Sequence, residues 1–218
     1  MFFLRGNILK DTIKTNSLSV TVRVLLGLLL AAVLAGVDQL TKWLVVSNME
    51  LHESIHLIMI GDTQVLNFSY YLNDGSAFSM FEGQTTMLVA VTCLMMGGMV
   101  IAMLLKKVQR TSYILAFSLV IGGGVGNLID RLFNDGNVID FIDVRIINFA
   151  IFNFADICAV CGGLLLCALV IADEIREKRD AKKAKEAKEA PAADDNDEDA
   201  ALSDEMTVAL DEQNDGND

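Results

Sequence analysis

Residues 22–46 read VRVLLGLLLAAVLAGVDQLTKWLVV, an apolar run in which only Arg23, Asp38 and Lys42 carry charge. Its length meets the roughly 20 residues that a helix needs to cross the hydrocarbon core of a bilayer. The apolar part is too long for a secretory leader, it carries Asp38 and Lys42, and no small-residue cleavage site follows it, so it is expected to stay attached. Three more apolar runs follow at Thr86 to Leu105, Ser112 to Ile129 and Ala155 to Ala172. The expected fold class is therefore an all-α membrane protein with four transmembrane helices.

Composition supports this once position is considered. The chain is 53% hydrophobic yet has a net charge of −12. From Glu189 to Asp218 there are twelve Asp and Glu and no Lys or Arg, so residues 1–188 sum to zero. Single-sign sequence of low hydrophobicity cannot bury enough apolar surface to offset its ordering entropy, and disorder is expected from Pro191. The expected organisation is a cytoplasmic segment 1–21, a four-span domain 22–173, a basic Lys/Ala/Glu-rich segment 174–190 and an acidic tail 191–218. No nucleic-acid partner is expected.

Orientation follows from Lys and Arg, which cytoplasmic segments close to the spans retain. The N-terminal segment has Arg5, Lys10, Lys14 and Arg23, and the link between spans two and three has Lys106, Lys107 and Arg110. The segment after span four has Arg176, Lys178, Arg179, Lys182, Lys183, Lys185 and Lys188, whereas residues 47–83 have none and residues 130–154 have only Arg131 and Arg145. Both termini are thus expected in the cytoplasm, with the two longer loops outside.

The first outer loop, Glu53 to Tyr71, mixes Ile, Val, Phe and Tyr with polar residues and lacks a helix-length apolar face. Short strands forming a small extracytoplasmic β-sheet between helices 1 and 2 are expected there. Asn73-Asp74-Gly75 closes it with turn chemistry. In the second outer loop, Val138 to Ile147 is expected to be extended or interfacial.

Several constellations invite chemistry. Gly122 and Gly126 in span three form a G-x-x-x-G pair, which lets helices approach closely in lipid, and no strand precedes them as phosphate binding would require. His52-Glu53-Ser54-Ile55-His56 satisfies H-E-x-x-H, the spacing that holds zinc on a helix. Its sequence runs into Leu57-Ile58-Met59-Ile60, where a strand would hold the imidazoles roughly 13 Å apart. Cys158 and Cys161 sit within span four among apolar residues and read as small hydrophobes. Asp38 and Lys42, four apart, share a helical face and read as an ion pair inside the bundle. A Ser-Lys nucleophile would need Lys42 with Ser76 or Ser79, and nothing local supports one.

Five acids remain at the outer edge: Asp130, Asp135, Asp140, Asp143 and Asp156. Asp130 reads as an interfacial pair with Arg131, and Asp135 as a solvated turn residue. Asp156 starts span four, where the helix dipole favours its carboxylate. Asp140 lies in Val-Ile-Asp-Phe-Ile, an apolar setting that favours its acid form. Acid/base catalysis requires two such environments, pushing two pKa values apart. Spacing alone leaves open which acid meets Asp156.

Five motifs, in order, resemble those of the bacterial lipoprotein signal peptidase (signal peptidase II) family. Asp38-Gln39-Leu40-Thr41-Lys42 is similar to its D-x-x-x-K, Asn73-Asp74-Gly75-Ser76-Ala77-Phe78 to its N-x-G-A-A-F and Gly126-Asn127-Leu128-Ile129-Asp130-Arg131 to its G-N-x-x-D-R. Val138-Ile139-Asp140-Phe141 is similar to V-V-D-F, and Phe152-Asn153-Phe154-Ala155-Asp156 to F-N-x-A-D. Ser76 stands where Ala is usual, and the proline often found before the last motif is absent.

The resemblance implies an intramembrane aspartic endopeptidase that removes signal peptides from prolipoproteins on the N-terminal side of the diacylglyceryl-modified cysteine. It implies Asp140 and Asp156 as the catalytic pair, with Asn127, Arg131 and Asn153 around them. Asp38, Lys42, Asn73 and Gly75 match positions of supporting or substrate-binding roles. No metal and no cofactor are expected. The expected partners are diacylglyceryl-modified prolipoproteins and membrane lipid, and the expected state is a monomer in the bacterial cytoplasmic (inner) membrane with its site toward the extracytoplasmic side. The rivals are a zinc protease built on His52, Glu53 and His56, and a four-span transporter or scaffold whose acids relay protons or pack helices.

Overall fold

A computed structural model describes residues 18–74, 85–147 and 149–189. Helix α1 spans Val20–Asn48, started by Ser19, whose Oγ accepts from the Val22 N–H at 3.3 Å. Helix α2 spans Thr85–Leu104, α3 spans Thr111–Phe133 and α4 spans Phe154–Glu189. All four helices are long and apolar enough to cross a membrane. Leu29, Trp43, Leu94 and Leu164 stand exposed on their flanks, as suits a lipid-facing surface.

Helices α1 and α3 run parallel and touch along their length. At one end Arg23 Nη1 donates to Thr111 Oγ1 at 3.3 Å, and at the other Lys42 meets Asn127. Between these contacts the bare backbones of Gly122 and Gly126 admit the partner helix. A Cβ on Gly122 would lie 2.8 Å from Leu34 Cβ, and one on Gly126 would lie 2.6 Å from an oxygen of Asp38. Gly123 makes the same close approach to the Ala155 carbonyl of α4. The expected G-x-x-x-G packing is present, and α3 uses adjacent glycines to pack against two helices. Val24, Ala31, Met96, Met103, Ile114 and Ile121 fill the core between α1, α2 and α3.

The sheet draws on both loops. Strands β1 (Ser54–Ile60) and β2 (Thr63–Asn73) form a hairpin closed by Gly61 and Asp62, with Gly61 at φ 59°. Strand β3 (Val138–Val144) then pairs antiparallel to β2, giving the order β1-β2-β3. The expected sheet between helices 1 and 2 is therefore completed by a strand from between α3 and α4. Val138, Asp140, Phe141 and Asp143 are all buried in β3, which explains why it is held in the sheet and not left interfacial. Asn73 pairs with Val138 and Tyr71 with Asp140, which brings the end of β2 to the carboxylate.

The helical residues from Ala172 belong to a second compact unit. Lys178 pairs with Glu174 at 2.8 Å and Lys182 with Glu186 at 3.7 Å, the i,i+4 spacing that supports an exposed helix rich in good helix formers. The basic segment is thus helical as far as it is described.

Candidate active site

Strand β3 delivers Asp140 and the first turn of α4 delivers Asp156. The two carboxylates line one cavity of about 580 Å³, together with Asn73, Asn127 and Arg131. Asp140 is buried and Asp156 is half-buried at the cavity wall.

Asn153 joins them. Its Nδ2 donates to Asp140 Oδ1 at 2.6 Å and to Asn127 Oδ1 at 3.0 Å. Its Oδ1 accepts from the Asp156 N–H at 3.0 Å, and its own N–H donates to Asp156 Oδ2 at 3.1 Å. This reciprocal arrangement is a capping box, and it satisfies two backbone donors at the start of α4 while fixing the Asp156 rotamer. Asn127 Nδ2 donates to Asp156 Oδ1 at 2.7 Å, and Asn73 Nδ2 donates to Asp140 Oδ2 at 2.9 Å. Each carboxylate is thus held at both oxygens. Burial, and next the charge of Asp156, push the Asp140 carboxyl up to about 7 against the opposing hydrogen bonds from Asn73 and Asn153 and the charge of Lys42. Arg131 lines the cavity and acts electrostatically on Asp156, Asp140 and Asp130.

Behind the cavity lies a buried ionic cluster. Lys42 Nζ is 2.8 Å from each of Asp38 Oδ2, Asp130 Oδ2 and Asn127 Oδ1, so each of its three hydrogens has an acceptor. The expected Asp38–Lys42 pair is present. Asp130, expected to pair with Arg131 at the interface, is instead buried, and its two oxygens accept from Gln39, Lys42 and the Ile139 N–H. Helical packing turns it toward α1, a direction that its neighbour in sequence could not reveal.

Of the other acids, Asp135 is exposed in a turn at φ 50°. Asp143 is buried against Ser69 and Arg145, at 2.9 and 2.6 Å. Gly75, Ser76 and Ser79 lie outside the described residues. His52 occupies a turn at φ 69° and His56 lies in β1, where its Nδ1 is 3.1 Å from Asn67 Oδ1. The helix that a zinc-binding H-E-x-x-H requires is therefore not formed. Among the described residues no three His, Cys, Asp or Glu are grouped to hold a metal ion. Cys158 is buried as expected, whereas Cys161 is exposed and lines the cavity. Sequence reading also passed over Gln39, whose amide donates to Asp130 Oδ1 at 2.7 Å and to the Gly126 carbonyl at 3.0 Å. Its place inside the D-x-x-x-K motif, one residue from Asp38, was the available signal.

In sequence and in fold the chain is similar to known proteins. The chain is 43% identical over 141 residues to the lipoprotein signal peptidase of Brevibacillus brevis, covering 63% of this chain and 90% of that protein. It is 38% identical over 155 residues to that of Halalkalibacterium halodurans, covering 70% and 96%. A solved bacterial membrane enzyme, determined by the in meso method at 2.3 Å resolution, superposes with a TM-score of 0.62 at 29% identity, over 68% of this chain and 88% of that one. A model of the signal peptidase (SPase) II family matches residues 30–172, the stretch that holds all four spans' apolar segments in whole or part, the sheet and the cavity, and the chain belongs to that family.

Proposed function

We propose that this protein removes signal peptides from prolipoproteins as an aspartic endopeptidase, with Asp140 and Asp156 as the catalytic pair. The carrying observation is that the two carboxylates line one cavity and are tied to each other through a single side chain, Asn153. Asp140, buried and raised to about 7, is the acid that polarises the scissile carbonyl. Asp156, half-exposed to the cavity, takes a proton from water as the water oxygen attacks that carbonyl. A tetrahedral diol results. As the C–N bond breaks, Asp156 passes its proton to the leaving amine and the carbonyl re-forms, returning a proton to Asp140. No covalent enzyme intermediate is required, and the carboxyls supply both proton transfers, so the reaction is metal-independent. Two environments dividing two like groups into acid and base is the physical basis of the assignment.

The leaving amine belongs to the diacylglyceryl-modified cysteine. A lipid-anchored substrate suits a cavity set at the end of membrane helices beneath a small sheet, and the charge distribution supports both termini in the cytoplasm and the cavity toward the outer face of the cytoplasmic (inner) membrane. Asn73, Asn127, Arg131 and Asn153 hold the pair, with Asp38 and Lys42 behind them.

The test uses purified protein, a diacylglyceryl-modified precursor and a chelator. Asp140→Asn and Asp156→Asn should each slow cleavage by about 10³-fold, in the range expected for a lost general acid or base, and chelator should leave the rate unchanged. Full cleavage by either variant would overturn the pair, and chelator sensitivity would overturn metal independence.

A further inference from the structure

The buried cluster behind the cavity has a symmetry that links it to both halves of the reacting pair. Asp38 Oδ1 accepts from the Ala155 N–H at 2.9 Å, and Ala155 immediately precedes Asp156. Asp130 Oδ2 accepts from the Ile139 N–H at 3.0 Å, and Ile139 immediately precedes Asp140. The remaining acceptor of Lys42, Asn127, donates directly to Asp156. All three arms of one ammonium therefore end on one of the two proposed catalytic aspartates or on the N–H of the residue just before one.

We propose that Lys42, Asp38 and Asp130 act as a positioning clamp that sets the separation of the two catalytic carboxylates. The inference rests on the assignment of Asp140 and Asp156 as that pair. Without the clamp, β3 and the start of α4 are joined near the site by the Ile142–Phe152 bridge and by Asn153. Asn153 reaches both backbones, donating to the Ile139 carbonyl at 3.3 Å and accepting from the Asp156 N–H at 3.0 Å, but it is carried by the same link between β3 and α4 that it would have to hold. Lys42 ties them to a separate element, because α1 carries it and its three hydrogen bonds reach α1, α3 and, through the carboxylates, β3 and α4. The cost of burying two carboxylates against one ammonium is large, and such a cluster persists where both charges and hydrogen bonds are satisfied. Displacing a reacting group by about 1 Å is enough to cost on the order of 10²-fold in rate.

The clamp predicts a graded pattern that a general stabilising role would not give. In Asp130→Asn the side-chain oxygen still accepts from Ile139 and Lys42 and only the Gln39 contact at the other oxygen is lost, so kcat should stay within about tenfold of the parent. In Asp130→Ala the acceptor is gone and kcat should fall by about 10²-fold with KM little changed. Lys42→Met should lose a similar factor and also move the alkaline limb of the kcat profile to higher pH. Lys42 is the cation that lowers the Asp140 carboxyl, opposing Asp156, while Arg131 remains as the other charge facing it.

The experiment measures cleavage of a diacylglyceryl-modified precursor across pH by the full-length detergent-purified variants, with circular dichroism melting to confirm that each is folded. Equal losses in Asp130→Asn and Asp130→Ala, or a folded Lys42→Met with unchanged kcat and pH limb, would overturn the clamp. If Lys42→Met does not fold, the Asp130 pair alone decides. Asp140→Asn and Asp156→Asn are run beside them. Activity in those two would sink the catalytic assignment itself, whereas their inactivity with a fully active Asp130→Ala would sink only the clamp.

Discussion

At Asp140 burial, and next the charge of Asp156, raise the carboxyl to about 7, because the strand that carries it turns its face inward beside a second carboxylate; in the proposed mechanism this group is the acid. A group that must be protonated to work loses its function as pH rises through its pKa. The rate should therefore fall above about pH 7, and a pH profile of kcat in detergent micelles checks this. Replacing Asn73 by Ala removes one hydrogen bond that favours the charged form, so the alkaline limb should shift upward in that variant. The apolar neighbours of Asp140 and the helix-starting place of Asp156 were legible in the chain, but the choice of Asp140 over Asp130, Asp135 and Asp143 as the partner of Asp156 came only from the family resemblance. Asp130 was not legible. Which way a helical carboxylate faces depends on the helix it packs against, and its partners lie 88 and 91 residues away at Lys42 and Gln39.

At the scale of elements, the close approach of α1 and α3 rests on glycine. A leucine at Gly122 would overlap Leu34 and the Ala31 carbonyl, and overpacking of this kind costs about 1–3 kcal/mol. Gly122→Leu should lower the melting temperature in detergent and reduce cleavage together. Gly36→Leu, where nothing lies within 4 Å of the added carbon, should do neither. The helices and their glycine pair followed from length and spacing. The sheet was only half visible: strands were expected in the first outer loop, but the Gly61-Asp62 turn between them was passed over, the Asn73-Asp74-Gly75 turn runs beyond the described residues, and β3 showed no sign of its partner. Strand pairing across two helices is a non-local property, so β3 read simply as extended chain.

Across the whole molecule, the charge pattern makes a topological statement that labelling can check. With Cys93, Cys158, Cys161 and Cys167 replaced, a cysteine at Asp62 in the β1–β2 turn should react with an impermeant maleimide added outside intact cells. One at Lys106 should react only after the membrane is opened. The family match ends at residue 172, and every residue lining the cavity precedes it. Deleting 191–218 should accordingly leave cleavage of a purified precursor within about twofold, because no group in the proposed proton path is touched. An unequal rate would give the acidic tail a part in the reaction.

The third strand also imposes an order in time. During synthesis Lys42 and Asn73 leave the ribosome well before Asp140, Asn127 shortly before it, and Asp156 last at the head of the final span. A chain with three helices inserted has the β1–β2 hairpin, Lys42, Asn73 and Asn127 but neither Asp140 nor Asp156. If those two carboxylates are the catalytic pair proposed above, the site is incomplete until the final helix is made, so a chain cut before residue 154 should show no cleavage of a precursor.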